Sequence, residues 1–141
     1  MRKRRILASL ATVMGLTGAG VAFAAGPAGA VGYNGACGSG YSVIDSMTVG
    51  YVNVQGTTYL TYNHSNGYNC VVTIAGTSGT NYIDALLEVS GGNWVEDRGY
   101  YHSYAGPVYV YASDKCVDWG GFTSADGPPG LDDIQWDDHC G

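Results

Sequence analysis

Apolar and polar side chains alternate along much of the chain after residue 30, with a period of two residues. The clearest run covers residues 83–89, where apolar side chains occupy every second position. These are Ile83, Ala85, Leu87 and Val89. A period of two is typical of a β-strand with one buried face, whereas an amphipathic helix repeats every 3.6 residues. The pattern therefore predicts strands and few helices.

Further strands are predicted in segments of similar character, separated by glycine-rich breaks. They are YSVIDSMTV, YVNV, TTYLTYN, NCVVTI, NWVED and PVYVYA. Asn66 and Gly67 lie between TTYLTYN and NCVVTI, and this dipeptide favours a hairpin turn. Six or seven short strands at this spacing predict an all-β fold, a small antiparallel sandwich or barrel.

The segment PVYVYA has two chemically different faces. Its valine side consists of Val108, Val110 and Ala112, and its other side of Tyr109 and Tyr111. The valine side is expected to face the core. The tyrosines either stabilise the sheet by cross-strand packing or form an aromatic platform for sugars or another protein. The candidate binding face consists of Tyr104, Tyr109, Tyr111 and Trp119.

Residues 1–30 have the three parts of a secretory signal peptide. The basic stretch MRKRR precedes the apolar run ILASLATVMGL and the small residues of AFAAGPAGA. Cleavage is expected after Ala30, with Ala24 as the alternative site. A membrane anchor is less favoured, because glycines and Pro27 interrupt a run that is marginal for the ~20 residues of a span. The sequence thus predicts a secreted protein without a membrane segment after cleavage.

Cleavage would leave Arg98 and Lys115 as the only lysine or arginine residues, against twelve acids. The net charge of residues 31–141 would be 2 − 12 = −10. Such a charge argues against nucleic acid or an anionic membrane as a partner.

Four cysteines in an exported chain predict two disulfide bonds. Three connectivities are open, and we favour Cys37 with Cys70 and Cys116 with Cys140. Zinc is the alternative, but no two of these cysteines have the close spacing of a structural zinc site. Neither a metal nor a cofactor is expected.

Residues 31–121 are expected to form the β domain, followed by an acidic tail, residues 122–141, tied back by Cys140. The tail contains six polar side chains close together, and their carboxylate oxygens could ligate calcium: Asp126, Asp132, Asp133, Asp137, Asp138 and His139. Their spacing does not match a calcium-binding loop, and DGPPG has the composition of a turn. A metal-free tail is the favoured interpretation.

Three histidines, His64, His102 and His139, raise the alternative of a hydrolase. The sequence contains neither a Gly-x-Ser-x-Gly elbow nor a His-Glu-x-x-His motif. No catalytic residue is therefore assigned, and the protein is not expected to be an enzyme.

Several blocks of the chain, in order, resemble the spore-associated protein A family of filamentous actinomycetes. The blocks are YNGACGSGYSVIDS, TYLTYN, NCVVTI, YAGPVYVYA and CVDWGG, which together span Tyr33 to about Gly121. The resemblance implies a small exported protein on the spore surface or on sporulating aerial filaments, and it implies no catalytic residues.

The sequence therefore predicts a secreted, non-enzymatic surface protein with a structural or adhesive role. Its expected partner is a cell-wall or spore-surface component, or another secreted protein. A secreted inhibitor or toxin-like module is the alternative function, and a small secreted hydrolase is the third. The ligand and the oligomeric state are left open.

Overall fold

The computed structural model describes residues 32–51, 54–127 and 131–141, so the predicted signal peptide and its cleavage site lie outside the described residues. In the described residues the chain forms eight strands in two four-stranded sheets. The strands are β1 (Ser42–Tyr51), β2 (Val54–Asn63), β3 (Tyr68–Ala75), β4 (Asn81–Val89), β5 (Val95–Tyr101), β6 (Tyr104–Tyr111), β7 (Val117–Ser124) and β8 (Asp133–Asp138).

Sheet I has the strand order β1-β2-β3-β6, and sheet II has the order β5-β4-β7-β8. Every pairing is antiparallel. The all-β sandwich is confirmed, as is the hairpin at Asn66 and Gly67, which joins β2 to β3. Gly67 has a φ of 76°, a left-handed conformation that glycine adopts without steric cost.

The main core lies between the sheets and contains the predicted alternating residues. Its buried members are Leu60, Val71, Ile83, Ala85, Leu87, Ala105, Val108, Ala112, Val117 and Trp119. In β6, Val108 is buried while Tyr109 and Tyr111 are exposed, so the predicted division of this strand into two faces is confirmed.

A second apolar cluster covers the outer side of sheet I. It consists of Cys37, Tyr59, Cys70, Val72 and Ile74, with Tyr33, Ala36 and Tyr41 packed against it. Strand β3 is consequently buried on both faces, which explains why the adjacent residues Cys70, Val71 and Val72 are all apolar rather than alternating with polar ones.

Strand β7 was not predicted, although all its residues are buried and it lies between β4 and β8. It contains two adjacent glycines, Gly120 and Gly121, and such a pair usually indicates a loop between strands rather than a strand. A Cβ atom at Gly121 would collide with the hydroxyl groups of Thr58 and Thr73 on sheet I. Glycine is present here because the two sheets approach closely.

The predicted boundary between the β domain and an acidic tail is wrong, because it falls inside β7. Strand β8 pairs with β7 and forms the edge of sheet II. Most of the supposed tail is therefore part of the sandwich, and the described part of the chain has eight strands rather than six or seven. The tie through Cys140 is confirmed, since the disulfides are Cys37–Cys70 and Cys116–Cys140.

Candidate functional site

Four exposed tyrosines lie on the outer side of sheet I, and we call them the tyrosine face. They are Tyr68, Tyr104, Tyr109 and Tyr111, with 38% to 53% of each residue exposed. Tyr68 on β3 is the register partner of Tyr111 on β6, and their ring centroids are 5.6 Å apart. Edge-to-face rings at this distance stabilise each other, so the pair presents a fixed apolar surface.

The N-terminal segment before β1 holds one end of the tyrosine face in place. The Tyr109 hydroxyl donates a hydrogen bond to the backbone oxygen of Cys37 at 3.1 Å. The Tyr41 ring packs edge-on against Tyr109, with centroids 5.6 Å apart. Cys37 itself is bonded to Cys70, the register partner of Tyr109. Tyr109 is therefore positioned by a disulfide, a hydrogen bond and a ring contact.

The hydroxyl of Tyr109 remains neutral at ordinary pH. Burial raises the pKa of Tyr109, and the neighbouring hydroxyls of Tyr41 and Tyr33 raise it further. The tyrosine face thus offers aromatic rings and neutral hydroxyl groups. Such a surface suits stacking on a sugar or packing on an apolar protein patch, with hydrogen bonds at the rim.

Trp119 does not belong to this surface, so its inclusion in the candidate binding face is wrong. It lies on β7 in sheet II, points into the main core and is 1% exposed. Its Nε1 donates a hydrogen bond to Oδ2 of Asp138 at 3.1 Å. Trp119 is near Tyr111 in sequence, but the turn between β6 and β7 takes the chain to the other sheet.

Tyr68 and Tyr41 were missed as members or supports of the face. The hairpin at Asn66 and Gly67 is a local signal that places Tyr68 at the start of β3. Its contact with Tyr111 depends on the pairing of β3 with β6, which are separated by β4 and β5 along the chain. Local alternation gives no information on that pairing.

A cavity of about 410 Å³ lies near the C-terminus. Its lining residues are Ile44, Tyr62, His64, Asn69, Ala112, Asp114, His139, Cys140 and Gly141. His64 packs edge-on against Tyr62, with ring centroids 4.9 Å apart. The structure thus brings two of the three histidines to one cavity. His102 lies elsewhere, with Nδ1 3.3 Å from the Thr80 hydroxyl.

Buried carboxyl groups lie on the outer side of sheet II. Glu88 and Asp118 are register partners on β4 and β7, and both are buried. Burial raises the pKa of Glu88, and its hydrogen bond with Asp118 and the charge of that group raise it further. Glu88 therefore keeps its proton to a higher pH than an ordinary glutamate does.

Asp118 is the more acidic member of this pair. Burial acts to raise its pKa, but hydrogen bonds together lower the pKa of Asp118 below its ordinary value. The donors include the Ser90 hydroxyl at 2.6 Å and the backbone N–H of Asp137 at 2.7 Å. Because 5% of Glu88 and 3% of Asp118 is exposed, a substrate cannot reach the pair from solvent. We interpret the pair as structural.

Comparison with known proteins assigns the chain to a family. It is 48% identical over 118 residues to Spore-associated protein A of Streptomyces coelicolor, and the match covers 78% of this chain and 75% of the relative. The chain belongs to the spore-associated protein A family. This confirms the resemblance found in the sequence. No family model and no solved structure matches the chain. Within the described residues of this family member, no helix is long and apolar enough to cross a membrane.

Proposed function

We propose that this member of the spore-associated protein A family is a secreted, non-enzymatic protein at the surface of spores or sporulating aerial filaments, with an adhesive or structural role. The name of its Streptomyces coelicolor relative supports the spore association. The two disulfides support export, because such bonds persist in oxidising compartments and are rare in the cytosol.

The observation that carries an adhesive role is the tyrosine face. Four exposed rings share the outer side of sheet I, and two of them are locked against each other. Rigid aromatic side chains lose little conformational entropy on binding, which makes them effective anchors at interfaces. We therefore assign the contact with a wall or spore-surface component to this face.

Charge attraction contributes little to this proposed contact. Only Arg98 and Lys115 provide lysine or arginine charge in the described residues, and Arg98 already forms ion pairs with Asp84 and Glu96. A partner is then held by ring packing and hydrogen bonds. Binding of this kind depends weakly on salt, because screening acts mainly on exposed charges.

The test compares retention on washed spores for the wild type and for Tyr109→Ser/Tyr111→Ser. A matched control is Tyr51→Ser/Tyr100→Ser, which removes two tyrosines that are each 60% exposed and whose rings pack on Phe122 and Tyr82 of sheet II. We expect the first double variant to lose most of its retention, on the order of tenfold, through the loss of two aromatic anchors. The control should be retained like the wild type at low and at high salt.

Circular dichroism and thermal melting of each variant first establish that it is folded. Equal retention of both double variants would remove the tyrosine face from the proposal. A sharp fall in wild-type retention at moderate salt would assign the contact to the acidic groups instead. Complete removal of the wild type by washing would contradict the surface role itself.

A further inference from the structure

Three metal-ligating side chains meet where the edge of sheet I lies beside the edge of sheet II. Asp45 comes from β1, Asp138 is the last residue of β8, and His139 follows it. One ligand atom from each residue lies within 4.8 Å of the other two. The imidazole and the Asp45 carboxyl are 94 positions apart in the chain, so the cluster forms no sequence motif.

Two of the three distances within this cluster are close to those between the ligands of a bound metal ion. The Nε2 atom of His139 is 3.0 Å from Oδ2 of Asp45 and 3.5 Å from Oδ2 of Asp138. Zinc takes imidazole nitrogen and carboxylate oxygen at about 2.0–2.2 Å, which places the ligand atoms of a tetrahedral site roughly 3.3–3.6 Å apart. An ion could enter this cluster with small side-chain movements.

Hydrogen bonds and a neighbouring disulfide hold Asp138 and His139 in position. The indole N–H of buried Trp119 donates to Oδ2 of Asp138, and the backbone N–H of His139 donates to Oδ1 of Asp138 at 2.9 Å. The next residue, Cys140, is fixed to Cys116 by a disulfide. Partners of this kind orient metal ligands and strengthen binding. In the sequence, a metal site was sought only as closely spaced cysteines or as a calcium-binding loop. Neither pattern detects ligands that come from distant segments of the chain.

The chemistry of the three ligands selects among cations. Two carboxylates and a neutral imidazole carry a charge of −2, which a divalent ion balances. Calcium and magnesium prefer oxygen ligands throughout, whereas imidazole suits zinc and other transition metals. His139 also lines the cavity of about 410 Å³. Three protein ligands would leave a coordination position for water or a donor atom from another molecule.

We propose that Asp45, Asp138 and His139 bind one divalent transition-metal ion, with zinc as the best fit. The bound ion would join the edges of the two sheets and keep a position open towards the C-terminal cavity. This site lies apart from the tyrosine face, and its existence does not depend on the adhesive role proposed above.

Calorimetric titration of the chelator-treated protein with zinc tests the proposal. We expect one saturable site per chain, with affinity at least about tenfold weaker in His139→Gln and in Asp45→Asn, because each loses a ligand. His102→Gln is the matched histidine control and should bind zinc like the wild type. Calcium should bind much more weakly than zinc. Zinc should also raise the melting temperature of the wild type but not that of His139→Gln.

Melting curves without metal establish first that each variant is folded. If one ligand variant fails to fold, the other, on a different segment of the chain, still tests the site. The absence of saturable zinc binding to the wild type would overturn the proposal. Unchanged affinity in the folded ligand variants would also overturn it, as would calcium binding as strong as that of zinc.

Discussion

Asp84 is a carboxyl group in a position that is unfavourable for negative charge. It lies on the outer side of β4, and only 1% of it is exposed. Burial, followed by the charge of Asp132, raises the pKa of Asp84 to about 7, although Arg98 acts in the opposite direction. The Nη2 atom of Arg98 is 3.2 Å from Oδ2 of Asp84, and Arg98 also forms an ion pair with Glu96. A single arginine is therefore not enough to keep Asp84 ionised at low pH.

This raised pKa predicts how stability depends on pH. Asp84 titrates near 3.8 in the unfolded chain and near about 7 in the fold. Between these values the folded protein binds more protons than the unfolded chain, so this group lowers stability as pH rises. We expect Asp84→Asn to resemble the wild type at about pH 4 and to be more stable at about pH 8, by roughly 1–4 kcal/mol.

Urea denaturation of both proteins across this pH range measures the effect. The matched control is Glu96→Gln, which removes the other partner of Arg98 from a more exposed site. The control should change stability little and should leave the slope with pH unchanged. A slope that is the same in Asp84→Asn and in the wild type would show that Asp84 titrates normally in the fold.

Among the elements, β8 is the strand with the weakest support from its neighbours. It has six residues, lies at the edge of sheet II and pairs only with β7. A bulge between Val117 and Trp119 further interrupts that pairing. The Cys116–Cys140 bond closes the loop that contains β8, and it limits the freedom of this segment in the unfolded chain.

Removing this disulfide should loosen β8 more than any other strand. We expect Cys116→Ser/Cys140→Ser to lower the free energy of unfolding by about 3–4 kcal/mol, as the loop-entropy relation gives for a separation of 24 residues. Hydrogen exchange should show faster exchange in β8 than in β4 or β7. The control Cys37→Ser/Cys70→Ser should cost a similar amount of stability and leave β8 protected. Unchanged protection of β8 in the first variant would show that strand pairing alone holds it.

The whole molecule is held together by the close approach of its two sheets. Near the middle of the sandwich, the hydroxyls of Thr58 and Thr73 are 2.8 Å apart and buried. They face Gly121 on β7, where a side chain has no room. These two buried hydroxyl groups are tolerated between the sheets because each one is the hydrogen-bond partner of the other.

A methyl group at this point of contact should separate the sheets. We expect Gly121→Ala to lower the free energy of unfolding by roughly 1–3 kcal/mol, because an overpacked interior must move backbone or side chains. Gly32→Ala is the control, since a Cβ there meets no atom within 4 Å. Chemical denaturation of both variants measures the difference. Equal stability of the two variants would show that the sheets can separate at no cost.

The sequence by itself determined the class of the fold and the composition of its faces. The two-residue period assigned residues 83–89 and 107–112 to strands and put Val108 and Tyr109 on opposite sides. It did so because side chains alternate strictly along any extended backbone. The even set of cysteines likewise predicted two disulfides. These properties depend on neighbours in the chain and on composition, so they can be inferred locally.

Only the tertiary structure decided which strands pair and which sheet each one joins. A two-residue period shows that Trp119 and Asp118 point in opposite directions, but it does not show that Trp119 faces the core. The contact of Tyr68 with Tyr111 and the meeting of Asp45 with His139 were also beyond local reasoning. Each contact joins residues far apart in the chain, and it forms because packing of the whole sandwich offsets the entropy of closing long loops.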